Sequence, residues 1–411
     1  MVSIRVARSV PAVPRGPSGG LPLRTRAAVL LGAAVARASR RLGLGAGAVV
    51  GGRIALALDP HVLSRLAAGR RIALVSGTNG KTTTAHMLAA ALGTRGQVAH
   101  NATGANMPDG VVAALIARPA ARDAVLEVDE LHLGSVVDAV RPAVVVLLNF
   151  TRDQLDRGSE VRAVASRATA ALSRHPETLV VANADDPLLV TALGRDRPVR
   201  WVAAGTPWLA DAGSWDSARD APPPEWRVVD GGVEGPAGKT ALRLQLPGPF
   251  NLGNAALAVA AADALGVPPE RAAGALAALD SVAGRYAVVR RGAHMLHLLL
   301  AKNPAGWAGV LPLLRVAPSL LLVINAREAD GRDTSWLWDV PFEQLSQRPI
   351  VASGERAADL GLRLSYAGLE HRTEPDPVRA LDQLPPGEVH VVANYTAFNA
   401  LVGRLAAEAA R

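Results

Sequence analysis

The stretch VSGTNGKTTT, at residues 75–84, constrains the fold more than any other part of the chain. It follows an apolar run, RIALV, and precedes a stretch with helical spacing, AHMLAAAL. Gly77 and Gly80 allow the backbone to turn and to bring its N–H groups against phosphate oxygens, and the positive end of the following helix favours an anion there. The order of strand, glycine turn, Lys-Thr and helix therefore predicts a nucleotide-binding phosphate loop.

The loop also assigns roles to its side chains. Lys81 is expected to neutralise the β- and γ-phosphates, and Thr82 to ligate Mg²⁺. The remaining candidate ATP-binding residues of the loop are Gly77, Thr78, Asn79, Gly80 and Thr83. The spacing is shorter than the usual GxxxxGK[ST], because only two residues separate the glycines.

Lysine is rare in this chain, which makes each one informative. It occurs only at Lys81, Lys239 and Lys302, whereas arginine is abundant. A retained lysine suggests a need for a compact ammonium, and we expect this at Lys81 and Lys302. Lys239 lies in a Gly-rich connection and is given no role.

Short apolar runs alternate with Ala/Leu-rich helical stretches from residue 72 onward, which is typical of a mostly parallel sheet covered by helices. With 49% apolar residues the chain can bury a substantial core. The predicted strands are Ile72–Ser76, Ala124–Val128, Val144–Phe150, Leu179–Ala182, Val199–Ala203, His297–Ala301, Leu320–Ile324, Ile350–Ala352 and Val389–Ala393.

The composition divides the chain into four parts. We expect a disordered basic N-terminus at 1–25, a helical segment at 26–70, a central ATP-binding domain at 71–285 and a C-terminal α/β domain at 286–411. Residues 207–240, rich in Pro, Gly, Asp and Trp, are expected to form an irregular insertion without cysteine.

The N-terminal helical segment has two interpretations. Its apolar run, residues 27–36, is too short to span a bilayer, and Arg37, Arg40 and Arg41 follow it. It is either a packed helix or a basic amphipathic helix that makes a peripheral contact with an anionic membrane.

Charge and cysteine content exclude several classes of protein. The net charge is +8, but the arginines are scattered and aromatic residues make up only 3%, so no nucleic acid partner is expected. The absence of cysteine excludes disulfides and thiolate metal sites, and it fits a cytoplasmic location.

The segment GTNGKTTT resembles the Mur ligase superfamily, whose members use ATP to activate a carboxylate as an acyl phosphate that an amine then attacks. Further segments resemble it in the same order: LEVDE, NFTRDQLDR, NADDP, GPFNLGNAALA and AGRY. The resemblance implies an α/β fold with a central P-loop domain, a parallel-rich sheet and a Rossmann-like C-terminal domain.

Several site residues follow from this resemblance. Glu127, or its neighbour Asp129, would hold Mg²⁺, although a strand end often carries surface acids. Asp185, Asn251 and Asn254 would lie on the adenine side, unless the asparagines cap a helix. Arg285 would reach the γ-phosphate.

The C-terminal segments LLLAKNPAGW, DGRDTSWLWDVPFE and VVANYTAFNAL, together with HNATGANMPDG, resemble the MurT family. That family is the ligase subunit of lipid II isoglutaminyl synthase, and it works with a GatD-like glutamine amidotransferase that releases ammonia. The resemblance implies ATP and Mg²⁺ as cofactors and lipid II as substrate. The reaction would amidate the D-glutamate α-carboxylate of lipid II to D-isoglutamine in peptidoglycan biosynthesis, in the cytoplasm at the inner face of the plasma membrane.

An aspartate of the C-terminal domain would complete the Cys-His pair of the partner by orienting its histidine. The candidates are Asp330, Asp333 and Asp339, with Asp333 or Asp330 preferred. Alternatively these carboxylates cap the helix near SWLWD. Lys302 would bind phosphate or the substrate carboxylate.

The chain departs from the family patterns at four points, and two other functions are kept as alternatives. Gln154 argues against one of them, an amino-acid ligase, whereas the changes near Ala326 and Ala287 motivate the other, a scaffold. Gln154 stands where amino-acid ligases carry His, Ala326 and Arg327 replace more acidic or amide residues, and Ala287 replaces Glu. Many family members carry a four-cysteine zinc ribbon, and because this chain lacks cysteine no zinc is expected. The alternatives are a Mur-type amino-acid ligase acting on folate or a peptide, and a nucleotide-binding scaffold without catalysis.

Overall fold

The computed structural model describes residues 20–41, 48–151, 161–194, 197–205, 222–282 and 285–409. The strands are β1 (Arg71–Ser76), β2 (Val98–His100), β3 (Asp123–Glu127), β4 (Val144–Leu147), β5 (Leu179–Asn183), β6 (Val199–Ala203), β7 (Trp226–Val229), β8 (Gly232–Gly235), β9 (Gly238–Ala241), β10 (Tyr286–Arg291), β11 (His294–Leu300), β12 (Leu320–Val323), β13 (Ile350–Ser353), β14 (Arg372–Thr373) and β15 (Gly387–Ala393).

The helices lie between these strands and before the first of them. They are α1 (Leu23–Arg41), α2 (Ala48–Leu58), α3 (Val62–Ala67), α4 (Lys81–Gly93), α5 (Pro108–Ala117), α6 (Leu133–Val140), α7 (Val161–Ser173), α8 (Pro187–Leu193), α9 (Pro249–Ala264), α10 (Pro269–Leu276), α11 (Pro304–Leu314), α12 (Ala357–Tyr366), α13 (Pro377–Leu381) and α14 (Tyr395–Ala409). Two short 3₁₀ helices cover Ser335–Asp339 and Phe342–Gln344.

The first sheet has nine strands in the order β2-β3-β1-β4-β5-β6-β7-β8-β9, and β2 to β7 are parallel. Strands β1, β3, β4 and β5 are buried on both faces, which explains why they read as continuous apolar runs. Ala73 and Val75 face α4, α9 and α10, whereas Ile72 and Leu74 face the helices of the opposite layer. The prediction of a parallel-rich α/β fold is confirmed.

The expected irregular insertion at 207–240 is wrong for its second half. Strands β7, β8 and β9 extend the sheet as antiparallel neighbours, and the Trp226 side chain is buried beneath them. These strands are four residues each and rich in glycine, so no apolar alternation marks them. Residues 206–221 lie outside the described part of the chain.

The second sheet has six strands in the order β10-β11-β15-β12-β13-β14. All neighbours pair in parallel except β10, which is antiparallel to β11. Neither β10 nor the short strand β2 was predicted from the sequence. Two apolar clusters, one on each face, form the core of this domain.

Helices α1 and α2 form an antiparallel pair that packs beside the first sheet. A Cβ on Gly32 would lie 2.6 Å from the Gly51 carbonyl oxygen, and one on Gly51 would lie 2.5 Å from that of Gly32, so glycine permits the close approach. The buried Asp59 ties the pair to α3, because it accepts hydrogen bonds from Thr25 (2.7 Å) and Arg65 (2.6 Å). The packed-helix interpretation is therefore correct for one face of α1. Within the described ranges, no helix combines the length and apolarity that crossing a bilayer requires.

The carboxyl ends of β1, β3 and β4 meet at one edge of the first sheet. Parallel strands direct the loops that follow them to the same crevice. The phosphate loop, the acidic segment after β3 and the segment that begins with Asn149 are thereby brought together.

Candidate active site

The phosphate loop between β1 and α4 requires its two glycines. Gly77 has φ +134° and Gly80 has φ +86°, a region that other residues rarely adopt. A Cβ on Gly77 would lie 2.9 Å from the Asn149 carbonyl oxygen, and one on Gly80 would lie 2.5 Å from Asn254 Oδ1. Substitution at either position would displace the backbone from the place where phosphate is held.

Asn149 shapes this loop, a role that the sequence did not predict. The Thr78 N–H donates to the Asn149 carbonyl (2.9 Å), and the Asn79 N–H donates to Asn149 Oδ1 (2.9 Å). Asn149 Nδ2 donates in return to the Asn79 carbonyl (3.0 Å). The position of Asn149, directly after a buried apolar run, was the available sequence signal. Gln154 and Arg157 of the same segment lie outside the described residues.

Lys81 begins α4, and its side chain is only 7% exposed. Its Nζ donates to the carbonyls of Gly77 (2.5 Å) and Thr78 (3.2 Å) and pairs with Glu130 Oε2 at 3.0 Å. The ammonium is thus held inside the loop by two backbone carbonyls and one carboxylate. Glu130 is a second residue that sequence reasoning missed, although it ends the acidic segment LEVDE.

Glu127 and Thr82 form a site that fits Mg²⁺. Glu127 is fully buried at the end of β3, and its Oε2 has no hydrogen-bond partner, whereas Oε1 accepts from Asn106 (3.3 Å). A Cβ on Gly104 would lie 3.5 Å from Thr82 Oγ1 and 3.7 Å from Glu127 Oε2, so both oxygens face the same space. A buried carboxylate oxygen without a partner is unfavourable and suits a cation.

The chemistry of the donors also fits. Mg²⁺ is usually held by one or two carboxylates together with substrate phosphates and water, without a complete protein cage. In the described part of the chain no three His, Cys, Asp or Glu side chains gather in a way that could bind a metal ion on their own. Thr82 and Glu127 would therefore hold the ion jointly with nucleotide phosphate.

Arg285 connects the two domains. It precedes β10, and its Nη2 donates to Thr82 Oγ1 (3.0 Å). Its guanidinium carbon lies 5.9 Å from the ring centroid of Tyr395, at the start of α14. This contact places a permanent positive charge beside the phosphate loop, where the sequence predicted it.

Asn251 and Asn254 are buried on α9 and do not cap it. The helix is preceded by Gly248, and Asn251 Nδ2 donates to the Pro247 carbonyl (2.7 Å). Asn254 Nδ2 donates to Asn251 Oδ1 (3.2 Å). Asn254 packs against Gly80, and both asparagines border the same cavity as the phosphate loop.

A cavity of about 510 Å³ separates the two domains. Its walls come from the phosphate loop, the Gly104 loop, the start of α9 and the C-terminal domain. The predicted site residues that border it are Thr78, Asn79, Gly80, Lys81, Thr82, Thr83, Asp129, Asn251, Asn254, Arg285 and Lys302.

Asp185 does not join this group. Its Oδ2 accepts from the Gly205 N–H (2.8 Å), and burial raises its pKa. The neighbouring Asp186 accepts from the backbone N–H groups of Phe150 (2.8 Å) and Leu189 (2.9 Å) and caps α8. This pair links the ends of β5 and β6 to the segment that begins with Asn149, and neither aspartate borders the cavity.

The three aspartates of the C-terminal loop differ in their surroundings. Asp330 is buried and accepts hydrogen bonds from both the backbone N–H and the hydroxyl of Thr396, so it fixes the start of α14. Asp333 is exposed and accepts from the Ser335 N–H (2.8 Å), a hydrogen bond that lowers its pKa. Asp339 is exposed at the end of the 3₁₀ helix. The capping alternative thus describes Asp333, and only Asp333 and Asp339 are accessible.

Two family models match successive parts of the chain. The sequence model of the Mur ligase middle domain matches residues 75–262, and that of the MurT ligase C-terminal domain matches residues 300–398.

Individual proteins resemble the chain along most of its length. The lipid II isoglutaminyl synthase (glutamine-hydrolyzing) subunit MurT of Streptococcus pneumoniae is 29% identical, over 86% of this chain and 91% of its own. The subunit of the same name from Staphylococcus aureus is also 29% identical, over 85% and 89%.

Among solved structures, MurF from Acinetobacter baumannii superposes with a TM-score of 0.67 at 19% identity, covering 86% of this chain and 80% of MurF. At that identity the likeness concerns the fold. The chain thus matches the Mur ligase middle domain and, after it, the MurT ligase C-terminal domain, and it is similar to two MurT subunits over most of their length.

Proposed function

We propose that the protein is the ATP-dependent ligase subunit that amidates the D-glutamate α-carboxylate of lipid II to D-isoglutamine. The observation that carries the proposal is the interdomain cavity that Lys81, Thr82, Arg285 and Lys302 border, with Thr82 Oγ1 and Glu127 Oε2 both facing the space beside Gly104. The names of the related subunits supply the substrate and the reaction.

In the first step, a carboxylate oxygen of the substrate attacks the γ-phosphorus of ATP. The bond between that phosphorus and the β–γ bridging oxygen breaks, ADP leaves, and an acyl phosphate forms. Lys81 and Arg285 would neutralise the negative charge that accumulates during this transfer, and the loop N–H groups would orient the phosphates. A Mg²⁺ held by Thr82 and Glu127 would neutralise further phosphate charge.

In the second step, the nitrogen of ammonia attacks the acyl carbon. The carbon–oxygen bond to phosphate breaks, phosphate leaves, and the nitrogen loses a proton to give the amide. Lys302, which borders the same cavity from the C-terminal domain, would bind the departing phosphate or the substrate carboxylate.

Ammonia would come from a GatD-like glutaminase partner. This chain contains no cysteine, so the thiol nucleophile of such an enzyme must belong to another chain. The exposed Asp333 and Asp339 are the carboxylates that a partner's histidine could reach. With lipid II as substrate, the complex would act in the cytoplasm at the inner face of the plasma membrane.

The test is mass spectrometry of lipid II after incubation with ATP, Mg²⁺ and an ammonium salt, and separately with glutamine and the glutaminase. We expect loss of about one mass unit as the acid becomes an amide, and we expect glutamine to serve only when the partner is present. The Lys81→Ala variant should lose the reaction while still binding the partner. The matched control, Lys239→Ala, removes the exposed lysine of β9 and should retain activity.

The alternatives give different results in the same assay. A free amino acid that replaces ammonia as the nucleophile would identify an amino-acid ligase. Binding of ATP without any product, beside an active partner, would identify a scaffold. Full activity of Lys81→Ala would refute the assignment of the phosphate loop.

A further inference from the structure

Helix α1 has an apolar stripe that faces solvent. Leu30 is 66% exposed and Leu31 is 51% exposed, and Leu23 at the helix start is 83% exposed. The exposed Ala27, Ala34 and Ala38 continue the stripe along the helix. At the pitch of an α-helix these six residues lie within an arc of about 100°.

The opposite face of α1 already has a partner. Thr25, Ala28, Gly32 and Ser39 are buried, and the glycine contact with α2 holds the two helices in close contact. The exposed stripe is therefore presented by a helix that is fixed to the body of the protein. The stripe is therefore a second face of α1, separate from the face that packs against α2.

Arginines border the stripe, and neither α1 nor α2 contains an acidic residue. Helical geometry places Arg26 and Arg37 on one side of the stripe and Arg24 on the other. The first acidic residue of the whole chain is Asp59. Residues 1–58 contain nine arginines and no lysine, so the remaining 353 residues carry 35 basic and 36 acidic side chains. The net positive charge of the protein thus belongs to this end.

We propose that α1 docks the protein on an anionic lipid bilayer, with the leucine stripe at the boundary between headgroups and acyl chains and the arginines among the lipid phosphates. A helix with an apolar face bordered by Arg and without acids is the form that lies in a membrane interface. Anionic lipid also attracts basic residues near its surface.

Charge favours an anionic bilayer over the two other partners that could cover the stripe, a second copy of the chain and the first 19 residues. A second copy of the chain would bring arginines against arginines across a symmetric contact. The first 19 residues of the chain contain three more arginines and no acid, so they too are repelled. A bilayer that contains anionic lipid supplies both the apolar layer and the opposite charge.

Helix α2, the packing partner of α1, is connected to the candidate active site through α5. The backbone of Gly52 on α2 lies against Asp109 at the start of α5, where a Cβ would be 1.8 Å from the Asp109 carbonyl oxygen. The loop that precedes α5 contains Asn106 and Gly104, which border Glu127 and the cavity. The docking proposal does not depend on the proposed reaction, because lipid binding is measurable without substrate.

The experiment is co-sedimentation of the full chain with vesicles of phosphatidylcholine, with and without about one third phosphatidylglycerol. We expect binding to the anionic vesicles that weakens as salt is added. In Leu30→Gln/Leu31→Gln the partition coefficient should fall at least about tenfold, because binding no longer transfers two leucine side chains from water into the bilayer. In Arg26→Gln/Arg37→Gln it should fall roughly 30-fold.

Matched variants on the other domains control for these changes. Val316→Gln/Leu362→Gln replaces two apolar residues that are 84% and 54% exposed, and Arg243→Gln/Arg271→Gln replaces two exposed arginines. Both should bind vesicles as the unaltered chain does. Equal binding to neutral vesicles, unaltered binding by the leucine variant, or a dimer that the leucine variant abolishes in sedimentation velocity would each overturn the proposal.

Discussion

At the scale of single residues, the arrangement around Glu127 shows how the fold prepares a cation site. Its backbone N–H donates to Asn101 Oδ1 (2.8 Å), and Asn101 Nδ2 donates to the Glu127 carbonyl (2.8 Å). These two bonds hold the backbone of Glu127 in place, and its carboxylate Oε2 keeps no hydrogen-bond partner. Gly104 leaves room next to that oxygen, which a larger residue would occupy.

Replacing Glu127 by Gln tests this site. The amide keeps the shape of the side chain but replaces a ligand oxygen by an N–H donor, so Mg²⁺-dependent ATP binding should weaken by at least about tenfold. Calorimetric titration of ATP at several Mg²⁺ concentrations and in EDTA measures the effect. The control Glu370→Gln changes an exposed carboxylate of the C-terminal domain. An unchanged Mg²⁺ dependence in Glu127→Gln would place the metal elsewhere.

At the scale of elements, the antiparallel strands β7 to β9 depend on one close contact. A Cβ on Gly235 would lie 2.5 Å from the Trp226 ring, which is buried under this part of the sheet. The absence of a side chain at Gly235 therefore lets β8 cover the indole.

We expect Gly235→Ala to destabilise the protein by about 1–3 kcal/mol, because the methyl group forces the ring or the strand to move. Urea unfolding measures the difference. Gly274→Ala is the matched control, since a Cβ at that position of α10 meets nothing within 4 Å. Alanine there should stabilise the helix by about 0.5–1 kcal/mol. Equal effects of the two substitutions would contradict the contact with Trp226.

The junction of β2 and α4 predicts a dependence of stability on pH. Burial, with a smaller contribution from the charge of His86, lowers the pKa of His100 to about 4. The unfolded chain then binds a proton near the ordinary histidine pKa of about 6.5, whereas the folded chain does not, so stability falls as the pH decreases through this range.

Between pH 7 and pH 5, His100 should account for a loss of about 2 kcal/mol of unfolding free energy. His100→Gln, which can still donate to the Val125 carbonyl, should lack this part of the pH dependence. Urea titrations at both pH values provide the comparison, and His61→Gln, which removes an exposed imidazole, is the control. An identical loss in His100→Gln and the unaltered chain would contradict the assignment.

The accuracy of the sequence-based predictions differs between kinds of element. Strands β1, β3, β5, β6, β12, β13 and β15 lie within two residues of their predicted bounds, because a buried parallel strand is a continuous apolar run. The loop residues from Gly77 to Thr83 could be proposed from the sequence because their chemistry depends on contiguous spacing. Asn149 and Glu130 were missed because their contacts cross about 50 to 70 residues of sequence and exist only after the strands align.

At the scale of the whole molecule, the exposed Asp333 and Asp339 are the residues through which the proposed partner subunit can be tested. If Asp333 orients a histidine of the partner, Asp333→Asn should slow glutamine-driven amidation at least about a hundredfold more than ammonia-driven amidation. Parallel assays with the two nitrogen donors measure the ratio.

Two further variants complete this test. Asp339→Asn addresses the other accessible carboxylate, and whichever variant shows the selective loss identifies the residue. Asp330→Asn should affect both donors alike, because it releases Thr396 at the start of α14. Equal loss with both donors in Asp333→Asn and Asp339→Asn would assign these residues to the ligase site or to the fold.

The concentration of arginine in the first 58 residues gives the molecule a permanent electric dipole. Such a dipole turns a protein toward an anionic surface before contact, so most encounters begin with the same end leading. Once adsorbed, the chain and a lipid-linked molecule diffuse in the same plane. The search for that molecule then takes place in two dimensions instead of three, and dilution in the surrounding volume no longer limits it.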